Sequence, residues 1–178
     1  MARLLLVNGP PGVGKSTVAR RYLDDHPLAL LVEIDALRVS MGRWSEHDES
    51  KLHARALALA LARTHLGAGF DVVLPQYLGR REPVDALSAV AAEVGAELVH
   101  LVLADERDAV VQRFRARRDD LVARGSAHPQ ADLADDEVDA AVADAERRLA
   151  DLAAGDRSIV VVHLAAGDPL HRLRSSSG

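Results

Sequence analysis

One octapeptide constrains this chain more than any other stretch. Gly9-Pro10-Pro11-Gly12-Val13-Gly14-Lys15-Ser16 satisfies G-x-x-x-x-G-K-[ST] without a mismatch, and Thr17 follows. The apolar run Leu4-Leu5-Leu6-Val7 precedes it, and a helix-compatible stretch comes after. Strand, glycine-rich loop and helix in that order make a cradle for nucleotide phosphates. The glycines let the backbone turn its N–H groups inward, and the helix adds its unpaired N–H groups and the positive end of its dipole. Lys15 reaches the β- and γ-phosphates, and the Ser16 hydroxyl is a hard oxygen ligand suited to Mg²⁺. The cofactor-binding set is therefore Gly9, Pro10, Pro11, Gly12, Val13, Gly14, Lys15, Ser16 and Thr17.

Composition sharpens this and excludes alternatives. The chain has twenty arginines but only two lysines, Lys15 and Lys51. Lysine is kept where a compact ammonium is wanted. A length of 178 residues, 48% hydrophobic and 28% charged, fits one soluble globular domain with a buried core. A net charge of −5 and 3% aromatics argue against a nucleic-acid partner. There is no cysteine, and the eight histidines fall in no metal-ligand spacing. No apolar run approaches a membrane span, and one arginine before four apolar residues is too short for a signal peptide. A cytoplasmic protein with no membrane partner, a monomer or homodimer, is expected.

Apolar runs at 3–7, 28–34, 70–74, 96–103 and 158–164 read as strands. Between them, 15–23, a stretch from the Ser45–Asp48 capping box to Leu66, a stretch with Pro83 in its first turn ending at Gly95, 105–118 and 135–154 read as helices. The helix ending at Leu66 is apolar on most sides, which predicts deep burial. Residues 119–134 read as a flexible loop. Continuous apolar strands alternating with helices mean an α/β fold, a parallel sheet covered on both faces. One domain is expected over 1–171, with a lid around 113–134 and a frayed tail over 172–178. In such sheets ligands gather beyond the C-terminal strand ends.

The remaining candidates lie there. Asp35 follows the second strand. It suits a base for a substrate hydroxyl, a holder of Mg²⁺ or its water, or a turn cap. Arg38 would face a substrate anion or make a surface ion pair. Trp44 would stack on a substrate ring or anchor the core. Gln76, Tyr77, Arg80 and Arg81 follow the third strand, with Gln76 and Arg80 the preferred substrate contacts. Arg113 and Arg117 share a helix face beside the expected lid and suit charge stabilisation on a transferring phosphoryl group.

With these residues in place, the chain resembles the small P-loop kinases of the shikimate-kinase and nucleotide-kinase group. The resemblance rests on LLLVNGPPGVGKST, on D-x-x-R at Asp35–Arg38, and on LVLADERDAVVQRFRARR, similar to the segment that runs into these kinases' arginine-bearing lid. Within the group it looks closest to chloramphenicol-phosphotransferase-like and tunicamycin-resistance-like proteins. The resemblance implies a single-domain P-loop NTPase with five parallel strands ordered 2-3-1-4-5, using ATP and Mg²⁺, and implies that Asp35 is the base. One departure stands out. Many P-loop enzymes carry an Asp at the end of the third strand, where this chain has Pro75-Gln76, and Asp71 is at the opposite end. Metal binding then rests on Ser16, Asp35 and water. The expected function is transfer of the γ-phosphate of ATP to a hydroxyl of a small molecule, an antibiotic or metabolite. The alternatives are a nucleoside or nucleotide kinase, or an ATP-binding resistance or regulatory protein without transfer. A GTPase is disfavoured by the lack of N-K-x-D. An AAA-type motor is disfavoured because no acidic pair follows the third strand and there is no room for a helical lid domain.

Overall fold

The computed structural model describes residues 1–126 and 128–170. The expected tail, 172–178, lies outside the described residues. Five strands, β1 (Arg3–Asn8), β2 (Leu30–Leu31), β3 (Val72–Pro75), β4 (Glu97–Ala104) and β5 (Val160–His163), pair in parallel in the order β2-β3-β1-β4-β5. This is the expected sheet. Six helices join the strands: α1 (Lys15–Asp25), α2 (Ile34–Val39), α3 (Ser50–Gly67), α4 (Arg81–Glu93), α5 (Arg107–Ala123) and α6 (Asp135–Ala154).

The period-2 alternation of β1 sorts the core into two layers. Leu5 and Val7, with Val73, Leu101 and Leu103, pack against Val18 and Tyr22 of α1, Phe114 of α5 and Val142 of α6. Leu4 and Leu6, with Val72 and Leu74, face Ala58 and Ala62 of α3 and Leu87 and Val90 of α4. Both layers are shut off from water, as a parallel sheet requires.

The structure corrects four local expectations. The second apolar run is mostly not strand. Only Leu30 and Leu31 pair with β3, and the chain turns into α2 at Ile34. Ile34 and Leu37, three apart on that helix, both pack against the second layer. The same two side chains could not face one way as consecutive strand residues three apart. The Ser45–Asp48 capping box does not form. Trp44–Glu46 is a 3-10 turn, and α3 starts at Ser50 behind Glu49, with no side-chain cap. Nor is α3 buried on most sides. Ala54, Ala58, Ala62 and Leu66 face inward, whereas Leu52, Leu57 and Leu61 are exposed. The row of small alanines lets the helix sit close to the sheet and turns the leucines outward. Finally, α5 runs through Ala123, and Pro129–Asp132 form a second 3-10 turn, so much of the expected 119–134 loop has regular structure.

Candidate active site

At the C-terminal end of β1 the chain swings under α5. Gly12 has φ 83°, and a Cβ there would lie 2.5 Å from the Val110 carbonyl oxygen and 2.9 Å from the Phe114 nitrogen. Both backbone conformation and close approach demand glycine. Gly14, at φ 103°, stands at the N-terminus of α1 and accepts from the N–H groups of Thr17 and Val18. The N–H groups of Lys15 and Ser16, at the start of α1, have no intrahelical acceptor and are open to the cradle. Lys15 does not extend into solvent. Its Nζ folds back and donates to the carbonyls of Gly9 and Pro10, each at 2.9 Å. Burial, then the nearby charge of Arg117, lowers its pKa to about 7, and Asp35 opposes that shift.

Asp35 is exposed in the first turn of α2. The residue before that helix is Glu33, so Asp35 is not its cap. Arg38 is held on two sides: its Nε donates to the Ser50 hydroxyl at 2.9 Å, and its guanidinium lies 4.6 Å from the Trp44 ring centroid. Trp44, half-buried, is thus not a core anchor; one face of its ring is covered by an arginine. Ser50, buried, in turn donates to the Trp44 carbonyl. Gln76 continues the β1–β3 ladder through its N–H to Val7. Arg80 is exposed ahead of α4, whereas Arg81 pairs with Asp85 and Asp156. Asp71 is occupied far from the cradle, accepting from the Arg3 N–H and the Tyr22 hydroxyl.

The arginines of α5 now separate. Arg107 pairs with Glu146, Arg115 with Asp139, Arg118 with Asp119 and Asp135, and Arg124, just past the helix, with Asp120. Arg113 donates to the Gly12 carbonyl at 2.8 Å and to Asp105 at 2.7 Å. Arg117 makes no hydrogen bond or ion pair among the described residues, and its charge reaches Lys15. An unpaired cation beside the loop is available to an incoming anion. Arg117→Gln is expected to lower turnover by about tenfold, less than the loss for a buried donor because solvent screens an exposed guanidinium. Arg115→Gln should be neutral. Steady-state rates of the two variants side by side check this.

Sequence reasoning missed three residues. Asn8 is fully buried. Its Oδ1 accepts from Gly9 N–H at 2.8 Å and Leu78 N–H at 3.0 Å, and its Nδ2 lies 2.9 Å from the Leu78 carbonyl and 3.1 Å from His100 Nε2. His100, on β4, is buried too, and its Nδ1 finds no partner among the described residues. Neither had a sequence signal beyond a polar residue in an apolar strand. The third is His128, whose Nδ1 accepts from Gln130 N–H, leaving Nε2 as the other ring nitrogen. Burial lowers its pKa, Asp35 raises it, and Arg117 and Arg38 lower it, which places all three within its electrostatic reach.

His100 makes stability pH-dependent. Burial lowers its pKa from 6.5 to about 4, against a smaller raising effect of Asp156. Between those values the unfolded chain takes up the proton more readily than the folded one. The stability from neutral His100 is therefore complete above pH 6.5 and is lost as pH falls toward 4. Chemical denaturation at pH 7 and pH 4.5 should differ by ~2–3 kcal/mol from this group, and His100→Gln should remove that part of the difference.

A family model described as AAA domain matches residues 4–135. The chain belongs to the AAA-domain family. That name does not itself assign motor activity, and Gln76-Tyr77, not an acidic pair, follows β3. Over 130 residues this AAA-domain chain is 33% identical to the adenylate kinase of Synechococcus sp. (strain RCC307), covering 66% of this chain and 70% of that one. It spans 57% and 47% of the lengths of the adenylate kinases of Sphingopyxis alaskensis and Paracoccus denitrificans. Among solved structures, a gluconokinase from Sinorhizobium meliloti 1021 superposes with TM-score 0.52 at 20% identity, over 90% of this chain and 82% of that one. A chain of the PezAT chromosomal toxin-antitoxin system of Streptococcus pneumoniae superposes with TM-score 0.59 at 15% identity, over 92% and 68%. These likenesses are of fold, the P-loop NTPase fold.

The donor set suits Mg²⁺ in this AAA-domain chain. No cluster of three or more His, Cys, Asp or Glu able to hold a metal occurs among the described residues. Mg²⁺ needs no such cage, since it keeps several waters and takes one or two protein oxygens plus substrate phosphates. Ser16 and Asp35 are hard oxygen donors of that kind. On the outer side of α1 a cavity of about 480 Å³ is lined by Gly14, Thr17, Arg21, Arg113, Leu164 and Pro169. Among the described residues, no helix is long and apolar enough to cross a membrane.

Proposed function

We propose that the chain is an ATP-dependent phosphotransferase that moves the γ-phosphate to a hydroxyl of a small molecule, an antibiotic or metabolite. The observation that carries this reading is that the charges of Arg117 and Asp35 both bear on the Lys15 ammonium held over the phosphate loop, while neither has an ion-pair partner among the described residues. In this reading the residues of Gly9–Thr17 hold the phosphates, and the cavity beside Arg113 takes the rest of the nucleotide. Lys15 leaves its two carbonyls for the β- and γ-phosphates, and Arg117 stabilises charge on the moving group. Arg113 holds the loop through Gly12. Asp35 takes the hydroxyl proton as the acceptor oxygen bonds to the γ-phosphorus, and the bond from that phosphorus to the bridging oxygen breaks to leave ADP. In this reading Ser16, with water, would hold Mg²⁺, which would supply charge neutralisation on the phosphate oxygens. Arg38, stiffened by Trp44 and Ser50, reads an anionic group on the acceptor, with Gln76 and Arg80 along the same wall. Residues 113–134, with His128, act as the lid.

The second reading is a nucleotide kinase, favoured by the identity to adenylate kinase and by the fixed Arg38 guanidinium. A third is an ATP-binding protein without transfer. Measuring ADP release with Mg²⁺-ATP across nucleotides, nucleosides, sugars, shikimate-like acids and hydroxylated antibiotics, with mass analysis of the product, separates the three. A phosphorylated alcohol supports the proposal, a nucleoside diphosphate made from a monophosphate replaces it with the second reading, and ligand binding without product leaves the third.

A further inference from the structure

The hydrogen-bonded ladder between β1 and β3 ends at the pair Val7↔Pro75, with the Gln76 N–H donating to the Val7 carbonyl. The two chains then diverge. One becomes the phosphate loop, and the other becomes the loop carrying Gln76, Tyr77 and Arg80. At that fork the Asn8 carboxamide stands in for a peptide group. It pairs with both the N–H and the carbonyl of Leu78, as a neighbouring strand would. Its remaining acceptor position takes the Gly9 N–H, the first amide of the phosphate loop, and its remaining N–H donates to His100 Nε2. All four hydrogen-bonding positions of the side chain are used. This fixes the orientation of the amide, since turning it over would set N–H against N–H at Gly9 and Leu78. It also fixes the ring of His100: Nε2 must accept, so Nδ1 carries the proton. That Nδ1 is buried and unpartnered among the described residues. A buried donor left unpaired costs stability and calls for an explanation. His100 sits opposite Leu6 in the β1–β4 register, directly behind the fork.

We propose that Asn8, held by His100, is a positioning residue that couples filling of the phosphate loop to the placement of the loop carrying Gln76, Tyr77 and Arg80. Gly9 and Leu78 share one rigid, buried amide, so a shift of the phosphate loop as it closes on phosphates is passed to Leu78. The neighbouring residues Tyr77 and Arg80 move with it. The packing leaves little room for a private adjustment: a Cβ at Gly9 would meet Val13 Cγ1 at 2.7 Å and the Leu103 carbonyl at 3.0 Å. The unpaired Nδ1 of His100 is then the cost of an acceptor fixed at the one place the second Asn8 N–H can reach. This inference rests on the phosphate-loop reading but not on the identity of the acceptor.

The test is hydrogen exchange with ADP and Mg²⁺ as the probe, in the wild type and in Asn8→Ala, His100→Leu and His100→Gln. In the wild type, ADP–Mg²⁺ should slow exchange at residues 12–17 and also at 76–80, including the Leu78 amide, the latter by about tenfold. His100→Leu, which keeps the buried volume but removes the acceptor, should retain protection at 12–17 and lose most of it at 76–80. His100→Gln should restore it, because the Gln amide oxygen can accept from Asn8. Asn8→Ala should behave as His100→Leu if it folds; the two His100 variants decide the matter if it does not. Full nucleotide-induced protection of 76–80 in His100→Leu would overturn the coupling, as would a wild type that binds ADP without any response at 76–80. A wild type with no ADP-induced protection at 12–17 would overturn the phosphate-loop reading and this inference with it.

Discussion

Lys15→Ala is expected to reduce turnover by about a thousandfold, ~4 kcal/mol of transition-state stabilisation, and to weaken ATP binding. The ammonium is held over the loop by the Gly9 and Pro10 carbonyls, with a pKa lowered to about 7 mainly by burial. A site that depresses the charge of its own lysine is one built to receive compensating negative charge. Truncation takes a donor from the carbonyls of Gly9 and Pro10, both buried, but it also removes a desolvated cation, and the two effects oppose each other. The melting temperature should therefore stay near that of the wild type. Lys15→Arg should be almost as poor, since a planar fork does not replace a point charge between two carbonyls. Single-turnover measurement of ADP formation, with circular dichroism to verify the fold, checks this. Near-normal turnover by a folded Lys15→Ala would remove the phosphate loop from the chemistry.

Much of the fold was legible because it is written locally. The phosphate loop, the apolar runs of β1, β3 and β4, and the stripe Val138, Val142, Ala145, Leu149 of α6 each declare themselves within a window of a few turns or strands. The sheet order followed from the resemblance to P-loop kinases. What was missed has long-range causes. Leu28–Ile34 reads as one strand because every residue but Glu33 is apolar. Only the i, i+3 placement of Ile34 and Leu37 against the second layer shows that a helix begins there. The Arg113–Arg117 pair looks uniform in sequence. It separates only when Gly12 and Asp105 occupy the first and leave the second. Asn8, Leu78 and His100 are 70 and 92 residues apart along the chain, so no local pattern could join them. Trp44 shows the converse: its neighbours 38 and 50 are near in sequence, but the 3-10 turn that sets its ring over Arg38 has no distinct motif.

Asp35→Asn is the second large effect, and it separates transfer from binding. The carboxylate is exposed in the first turn of α2, where it complements the helix dipole, and its charge reaches both Lys15 and His128. If it accepts the hydroxyl proton, Asn keeps the shape and loses the base, and turnover should fall about a hundredfold or more. ATP affinity should change little, because Gly9–Thr17 hold the phosphates. Stability should change little as well, because Asp35 caps nothing and its side chain has no hydrogen-bond or ion-pair partner among the described residues. Two controls make the result specific. Raising Mg²⁺ should not restore the rate; restoration would assign Asp35 to metal binding. A phosphate acceptor is already ionised at neutral pH and needs no base, so a nucleotide kinase would lose little rate from this change at saturating Mg²⁺. The expected outcome is a deep loss in kcat, unresponsive to Mg²⁺, with normal ATP binding and a normal melting temperature. An unimpaired kcat would end the hydroxyl-acceptor proposal while leaving the phosphate loop and the nucleotide-kinase reading standing.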